Sequence, residues 1–206
     1  MTTAIFAACV DAALLSHYTF DTDASDSGSV GRPGTLTNGA VITTSAKVGG
    51  GAADLSGSTD YVDLPGGYSA LNALPEYTVA TWIKLTSVSG WLDYIFATDS
   101  WQMGDSLHFS LETGSAPYTL KANFYGWSPD GTTAVPVAPS DWFHIALSVK
   151  QPSDGYVNLY VNGKLEMTSG LPPGYTLTHF GDASAIGSWG GPDRNLRGLI
   201  DDFRIY

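Results

Sequence analysis

The fold is decided by Gly198-Leu-Ile-Asp-Asp-Phe-Arg-Ile-Tyr206, a stretch with the alternation of a half-buried β-strand. Phe203 and Ile205 fall on one face of such a strand, and Asp202 and Arg204 fall on the other. Two adjacent aspartates interrupt the apolar run where the strand begins. A carboxylate this close to a core costs several kcal/mol unless it is paired or binds a metal.

A second stretch with the same pattern lies near the start of the sequence, Leu14-Leu-Ser-His-Tyr-Thr-Phe-Asp21. Here Tyr18 and Phe20 alternate with Thr19 and Asp21. The two stretches predict a pair of strands that joins the start of the domain to its end. Because each strand has an aspartate at one end, we expect a cation between them.

The composition favours one all-β domain built as a sandwich or barrel. The chain has 206 residues, 24 Gly and 11 Pro, and Gly and Pro separate its short apolar runs. Asn162-Gly163, between two strand-like runs, predicts a hairpin with a type I′ turn. Long polar loops are expected at 22–35, 126–141 and 169–183. About a dozen strands are predicted, at 14–20, 36–44, 52–56, 60–64, 77–86, 92–98, 106–112, 118–126, 142–150, 156–162, 164–168, 184–188 and 197–206.

The charge limits the partners of the protein. With 20 acidic and 9 basic residues the formal net charge is -11. No basic patch is available to displace counterions from a phosphate backbone, so a nucleic-acid partner is not expected. The acidic balance fits a soluble surface protein or a calcium-binding protein.

Residues 1–13 are mildly apolar and are interpreted as an N-terminal extension or a docking arm before the domain at 14–206. They lack a basic n-region, and their apolar core is short for a signal peptide. No apolar run approaches the ~18 residues of a membrane-spanning helix, so membrane insertion is not expected. Cys9 is the single cysteine, which excludes an internal disulfide and a cysteine-based zinc site.

The ordered set of motifs along the chain resembles the laminin G-like branch of the concanavalin A-like lectin/glucanase superfamily. This resemblance spans 14–206 and implies a two-sheet antiparallel jelly-roll sandwich, often with one calcium near the paired termini. The motifs, in chain order, are Tyr18-Thr-Phe-Asp21, Asp26-Ser-Gly28, Gly34-Thr-Leu36, Lys47-Val-Gly49, Asp54-Leu-Ser-Gly-Ser-Thr-Asp-Tyr-Val62, Tyr77-Thr-Val-Ala-Thr-Trp82, Trp142-Phe-His-Ile-Ala146, Tyr160-Val-Asn-Gly163, Ile186-Gly187 and Gly198-Leu-Ile-Asp-Asp-Phe-Arg-Ile-Tyr206.

A structural calcium ion is the predicted cofactor. Its expected ligands are Asp21 and Asp201 at the strand ends, with further oxygens from Asp26 and from the turn at Asn38. We expect Asp201 to share the inward face of the last strand with its apolar neighbours. The alternative is that Asp201 accepts backbone N–H bonds and that Asp202 pairs with Arg204 or a lysine.

The aromatic residues fall into two groups. Trp82 and Trp142 lie in strongly apolar strands, where we expect core packing, and His144 is interpreted as a core histidine. The others are flanked by loop residues or lie near them, and we expect them, together with His108, to line one sheet face or its rim. They would stack on sugar rings there, or alternatively cover loops or form a protein interface. This predicted ligand-binding set is Trp91, Trp101, Trp127, Trp189, Tyr94 and Tyr125.

Catalysis has little support in the sequence. Glycosidases need two carboxylates flanking the scissile bond, and the three glutamates, at 76, 112 and 166, stand alone. Ser110 and Ser148 lack the glycines of a nucleophile elbow, and the histidines form no short metal-binding spacing. No catalytic residues are predicted, and a polysaccharide hydrolase or lyase is the minor alternative.

Two functions remain open. The first is a non-catalytic, calcium-stabilised module for carbohydrate recognition or surface adhesion. The second is a virion surface protein, such as a phage decoration or fibre component, which docks on capsid or tail proteins through the sandwich and the arm at 1–13. The composition looks extracellular while no convincing signal peptide is present, so we expect an extracellular or virion-surface location.

Overall fold

The structure, a computed structural model, describes residues 13–67, 72, 74–99, 106–124, 133–135, 141–151, 154–171, 181 and 183–206. No helix occurs among them, and therefore none that is long and apolar enough to cross a membrane. The strands are β1 Ser16–Tyr18, β2 Thr35–Thr37, β3 Val41–Thr43, β4 Ala52–Leu55, β5 Tyr61–Asp63, β6 Glu76–Leu85, β7 Leu92–Ala97, β8 Leu107–Glu112, β9 Tyr118–Phe124, β10 Thr133–Val135, β11 Phe143–Lys150, β12 Tyr156–Val161, β13 Lys164–Gly170, β14 Ala185–Ile186 and β15 Gly198–Ile205.

The strands form two antiparallel sheets, which confirms the predicted sandwich. The first sheet has the order β13-β12-β11-β6-β15-β4-β3, with β1 paired to β15. The second has the order β10-β9-β8-β7-β14-β5-β2. Both sheets combine hairpins of consecutive strands with pairs that are distant in sequence, such as β6 with β15 and β7 with β14, as Greek-key connections require.

The core lies between the two sheets. Strand β11 turns Phe143, Ile145 and Leu147 inward and leaves the residues between them half-exposed, which is the alternation of a strand with one buried face. Burying each large side chain of this kind contributes about 1.5–3 kcal/mol. The fully buried aromatic residues are Tyr18, Phe20, Phe96, Phe109, Phe124 and Phe203.

The predicted pairing of the terminal strands is confirmed. Strands β1 and β15 are antiparallel, with Tyr18 opposite Phe203. The rings of these two residues meet edge to face, with centroids 6.1 Å apart. Both side chains are fully buried, so the pair closes the domain through the core as well as through backbone hydrogen bonds.

The expected inward orientation of Asp201 is wrong. The register between β15 and β6 shifts between Asp201 and Arg204, and Asp202 in the shift has φ 52°. This bulge lets Phe203 point into the core while Asp201, opposite Trp82, lies on the outer face. Asp201 is nevertheless fully buried, because the loop around Lys47 covers it.

Some other expectations also differ from the structure. The single strand predicted at 36–44 is two strands in different sheets, because Asn38 (φ 60°) turns the chain between β2 and β3. Strand β10 lies inside the predicted loop 126–141. The residues expected in the core at Trp82, Trp142 and His144 are instead half-buried and lie outside it. The rings of His144 and Trp82 meet edge to face, with centroids 5.1 Å apart. The hairpin turn at Asn162-Gly163 is confirmed by φ values of 50° and 79°.

Candidate functional site

The candidate site is built by the loop between β14 and β15, which crosses the second sheet beside β7. The loop starts at Gly187 (φ 80°), whose amide donates to the carbonyl of Ile95 at 2.8 Å. It returns to β7 at Asn195, which forms a parallel bridge with Tyr94. Between these anchors, Arg194 has φ 52°, a left-handed conformation that costs about 1–2 kcal/mol outside glycine. Such strain is typical of positions held for a function.

One continuous cluster crosses this loop, called the stack below: an arginine lies over two indole rings, and two further rings join in tilted or edge-to-face contact. The guanidinium carbon of Arg194 lies 4.3 Å from the ring centroid of Trp91 and 4.1 Å from that of Trp189. Trp189 in turn lies 6.3 Å from Tyr94, and Tyr94 lies 5.5 Å from His108. Cation–π contacts contribute about 0.5–2 kcal/mol each, so Arg194 holds both tryptophans in place.

A cavity of about 170 Å³ lies against this stack, and Trp91, Arg194, Asn195 and Arg197 line it. Three buried polar atoms of the lining have no hydrogen-bond partner: Nε of Arg194, Oδ1 of Asn195 and Nε of Arg197. Each such atom costs about 1–3 kcal/mol, and native proteins leave few of them. The side chains that line the cavity thus carry two donors and one acceptor that no protein group satisfies.

Trp91 is held by a polar network at the end of the sandwich. Its carbonyl accepts the amide of Thr113 at 2.7 Å, and the Thr113 hydroxyl donates to Asp93. Asp93 also accepts the amide of Ser89, just before Trp91. Burial raises the pKa of Asp93, and the hydrogen bonds and the charge of Arg197 oppose that increase. Trp91 is 58% exposed, and the part of its ring that the guanidinium of Arg194 does not cover is open to a ligand.

The floor of the stack is polar and buried. His108 lies on the outer face of β8, and its Nε2 is 3.1 Å from the carbonyl oxygen of Asp99. Burial lowers the pKa of His108 to about 4, so its ring is neutral at neutral pH. Burial also raises the pKa of Tyr94, although a hydrogen bond with Arg194 opposes that increase. The hydroxyl of Ser110, next to His108 on this face, is buried without a partner.

The structure brings three of the predicted ligand-binding residues together: Trp91, Trp189 and Tyr94. Trp101, Trp127 and Tyr125 lie outside the described residues. The sequence analysis missed Arg194, Asn195 and Arg197. The signal for them was local composition, since two of the few basic residues of this acidic chain lie within one short loop segment, Asp193-Arg-Asn-Leu-Arg197.

The predicted calcium ligands fall at different places. Asp201 accepts the amides of Lys47 (2.6 Å) and Val48 (2.8 Å) through Oδ2, and Asp21 accepts amides from the same loop at Gly50 and Gly51. Two carboxylates thus hold one loop. This is the hydrogen bonding that the alternative expected of Asp201.

Asp26 and Asn38 serve other turns. Asp26 accepts three amides, from His17, Gly28 and Arg32, at 2.8–2.9 Å. Asn38 donates from Nδ2 to the carbonyl of Thr59. Within the described residues no group of three or more His, Cys, Asp or Glu side chains is arranged to hold a metal ion.

Asp201 is the residue whose surroundings fit a cation. Its Oδ1 is buried without a hydrogen-bond partner, and burial raises its pKa above the ordinary value. Its neighbour Asp202 is already paired, with His17 at 2.7 Å and with Arg204 at 2.9 Å. Asp26 fits poorly, because both of its oxygens accept amides. The calcium site therefore stays a prediction that depends on Asp201.

The sequence profile of a laminin G family, described as the concanavalin A-like lectin/glucanases superfamily, matches residues 56–206. The chain belongs to this superfamily. A comparison with curated proteins finds no match. This lectin-like chain is similar in structure to domain 4 of AbnA, a GH43 extracellular arabinanase from Geobacillus stearothermophilus, in complex with arabinotriose. The TM-score is 0.70 at 27% identity, covering 94% of this chain and 92% of that domain.

Two more distant structures show the same lectin-like fold. One is the CBM40 of the Ruminococcus gnavus IT-sialidase bound to α2,3-sialyllactose, with 15% identity, a TM-score of 0.56 and coverage of 71% of this chain and 89% of that one. The other is the binding domain of Paraclostridial Mosquitocidal Protein 1, with 16% identity, a TM-score of 0.67 and coverage of 94% of this chain. This chain spans 48% of that second structure. At such low sequence identity, these two similarities establish a shared fold and nothing more.

Proposed function

We propose that this chain is a non-catalytic carbohydrate-binding module that holds a glycan at the cavity beside Trp91. One observation carries the proposal. The exposed Trp91 stands beside a cavity lined by Arg194, Asn195 and Arg197, and each of these three side chains has a buried polar atom without a partner. Sugars present C–H faces that stack on aromatic rings and hydroxyl groups that satisfy buried donors and acceptors.

The ligand class follows from the site and from the similar arabinanase domain. That domain was solved with arabinotriose, and it is 27% identical over 94% of this chain. The cavity, about 170 Å³, is below the ~300–1,000 Å³ of sites for drug-sized ligands. It is therefore suited to one ring or one chain end of a neutral oligosaccharide. Arabino-oligosaccharides are the first ligands to test, and an extracellular polysaccharide is the proposed target.

The scarcity of acidic side chains around the cavity favours binding over hydrolysis. Among the described residues that line it, Asp193 is the only acidic one. Glycoside hydrolysis needs two carboxyl groups on either side of the bond. The two arginines and Asn195 form hydrogen bonds to a ligand but supply no proton at neutral pH.

A structural calcium ion at Asp201 is the second part of the proposal. The unpartnered Oδ1 of Asp201 would supply one ligand, and water or neighbouring carbonyl oxygens would complete the shell. Asp21 fixes the other end of that loop through Gly50 and Gly51. The ion would stabilise the loop and the terminal strands without taking part in glycan binding. Docking on capsid or tail proteins through 1–13 stays a prediction, since residues 1–12 lie outside the described part of the chain.

The test is isothermal titration with arabinotriose and longer arabino-oligosaccharides. We expect wild-type protein to bind and Trp91→Ala to bind about tenfold more weakly, because losing the stacking surface removes about 1.5 kcal/mol. The control is Leu165→Ala, which truncates another exposed apolar side chain, on β13 of the other sheet. Equal affinities for the wild type and Trp91→Ala would contradict the proposed site.

A further inference from the structure

A second cavity, of about 240 Å³, lies at the opposite end of the sandwich. It is lined by the start of β6, the end of β11, the start of β12 and Tyr206. Two tyrosines of its lining are accessible, Tyr156 and Tyr206, whereas Tyr77 borders the cavity from the hydrophobic core. Each comes from a different strand or strand end, so the fold, and not one local sequence motif, assembles this tyrosine cavity.

The tyrosine cavity is held in a defined shape. Tyr206 exchanges two backbone hydrogen bonds of 2.9 Å with Thr78, and its hydroxyl accepts a hydrogen bond from Arg204 at 3.2 Å. The backbone pairing fixes the position of Tyr206, and the arginine fixes its ring. Tyr77 is almost fully buried, and its side chain packs in the hydrophobic core behind the cavity. Tyr156 is 38% exposed and forms the accessible side.

The chemistry of the tyrosine cavity is that of a site for a neutral sugar. Tyrosine combines an apolar ring face with a polar tip, and so suits ligands that have C–H faces and hydroxyl groups. Thr78 and Ser148 add two hydroxyl groups to the lining. The charges at the rim are balanced, because Lys150 pairs with Glu76 at 3.7 Å. Among the lining residues that the structure describes, no net charge is left to select an anionic ligand.

Strand β6 sets the separation of the two sites. The tyrosine cavity touches β6 at its first residues, Glu76 to Thr78, whereas the cavity beside Trp91 is lined by Ser89, beyond the end of β6 at Leu85. At about 3.4 Å per residue, Tyr77 and Leu85 are about 27 Å apart. One short oligosaccharide does not reach both sites, but a polysaccharide chain, or two chains, can.

We propose that the tyrosine cavity is a second glycan-binding site and that the module is bivalent. The inference rests on the proposed function, since it assigns a further site for the same class of ligand. Two sites on one rigid domain make the second contact with a polymer intramolecular, which raises the apparent affinity without strengthening either site. The same geometry allows one molecule to bridge two polysaccharide chains.

The test is titration with arabinotriose of the wild type, Trp91→Ala, Tyr156→Ala and the double variant. We expect two sites per wild-type chain and a roughly tenfold weakening of one site in each single variant, so that the titration shows one strong site in each single variant and none in the double variant. Tyr156→Leu keeps apolar bulk without the ring and is expected to behave like Tyr156→Ala. Thermal melting checks folding, and Leu165→Ala is the control.

Each failure has its own pattern. One ligand per wild-type chain, lost in Trp91→Ala and unchanged in Tyr156→Ala, overturns the second site and leaves the proposed function intact. Binding that is lost in Tyr156→Ala and unchanged in Trp91→Ala supports the tyrosine cavity and overturns the site beside Trp91. No binding by the wild type to arabinotriose or to arabinan overturns both.

Discussion

The guanidinium carbon of Arg194 lies 4.1 Å from the ring centroid of Trp189. The backbone of Arg194 itself is left-handed. The same guanidinium also contacts Trp91, the residue just before β7. One side chain therefore fixes two rings that come from distant parts of the sequence. The backbone strain of about 1–2 kcal/mol is offset by these contacts.

Replacing Arg194 separates its role in binding from its role in stability. We expect Arg194→Gly to weaken arabino-oligosaccharide binding about tenfold, because both tryptophans lose the group that holds them. Thermal stability changes little, since glycine relieves the left-handed strain while the contacts are lost. Arg194→Lys keeps the charge but loses the planar stacking group, so it also weakens binding. Titration and thermal melting measure the two effects, and unchanged affinity in Arg194→Gly would count against the stack.

The buried His108 predicts loss of stability on acidification. Its pKa falls from 6.5 to about 4 in the folded protein. Between these values the unfolded chain binds more protons, so the free energy of unfolding decreases as the pH falls from 6.5 and levels off below about 4. The contribution at neutral pH is about 3 kcal/mol.

The comparison of wild type with His108→Gln isolates this effect. Buried Asp93 and Asp201 have raised pKa values and contribute with the opposite sign in both proteins. Urea unfolding at several pH values is therefore expected to show a difference between the two proteins that narrows as the pH falls from 6.5 to 4. A constant difference would mean that His108 titrates normally in the folded state.

Two glycines with the same backbone conformation provide a matched pair. Gly187 has φ +80° and Gly163 has φ +79°. A Cβ at Gly187 would lie 2.3 Å from Cδ1 of buried Leu55, whereas a Cβ at Gly163 meets nothing within 4 Å. We expect Gly163→Ala to cost about 1 kcal/mol from strain alone, and Gly187→Ala to cost about 2–4 kcal/mol because overpacking is added. Chemical denaturation measures both costs. Equal costs would contradict the prediction and show that the Leu55 side chain moves aside to accommodate the new methyl group.

The calcium proposal predicts a specific stability difference. Wild-type protein is expected to melt at a higher temperature with calcium than with EDTA. A calcium concentration of 100 times Kd raises the free energy of unfolding by about 2.7 kcal/mol. In Asp201→Asn the calcium-dependent shift disappears. The control is Asp26→Asn, which loses stability through its hydrogen bonds but keeps the calcium response. If EDTA leaves the wild-type melting temperature unchanged, there is no structural calcium.

The sandwich was predictable because period-2 alternation is a local signal. The pairing of Tyr18 with Phe203 follows from two stretches that each show the alternation clearly. The orientation of Asp201 was not predictable, because the bulge at Asp202 resets the alternation within the strand. Trp82 was misplaced for a related reason: an aromatic residue in an apolar strand does not reveal which face it occupies.

The site was predictable only in part. Loop composition around Trp91 and Trp189 indicated that these residues lie outside the core, and the fold brings them to one arginine. The importance of Arg194 and Asn195 depends on contacts between β7 and a loop about 100 residues later, and no local pattern encodes such contacts. The tyrosine cavity is likewise a product of the register of three strands.

The central claim is that glycan binds beside Trp91, and the most direct measurement is the indole N–H spectrum by NMR during titration with arabinotriose. The account predicts that the indole signals of Trp91 and Trp189 shift with a common affinity, while the signal of Trp82, on the outer face of the other sheet, stays in place. Single Trp→Phe variants assign the signals. Unchanged signals for Trp91 and Trp189 at saturating ligand, or a shift confined to Trp82, would contradict it.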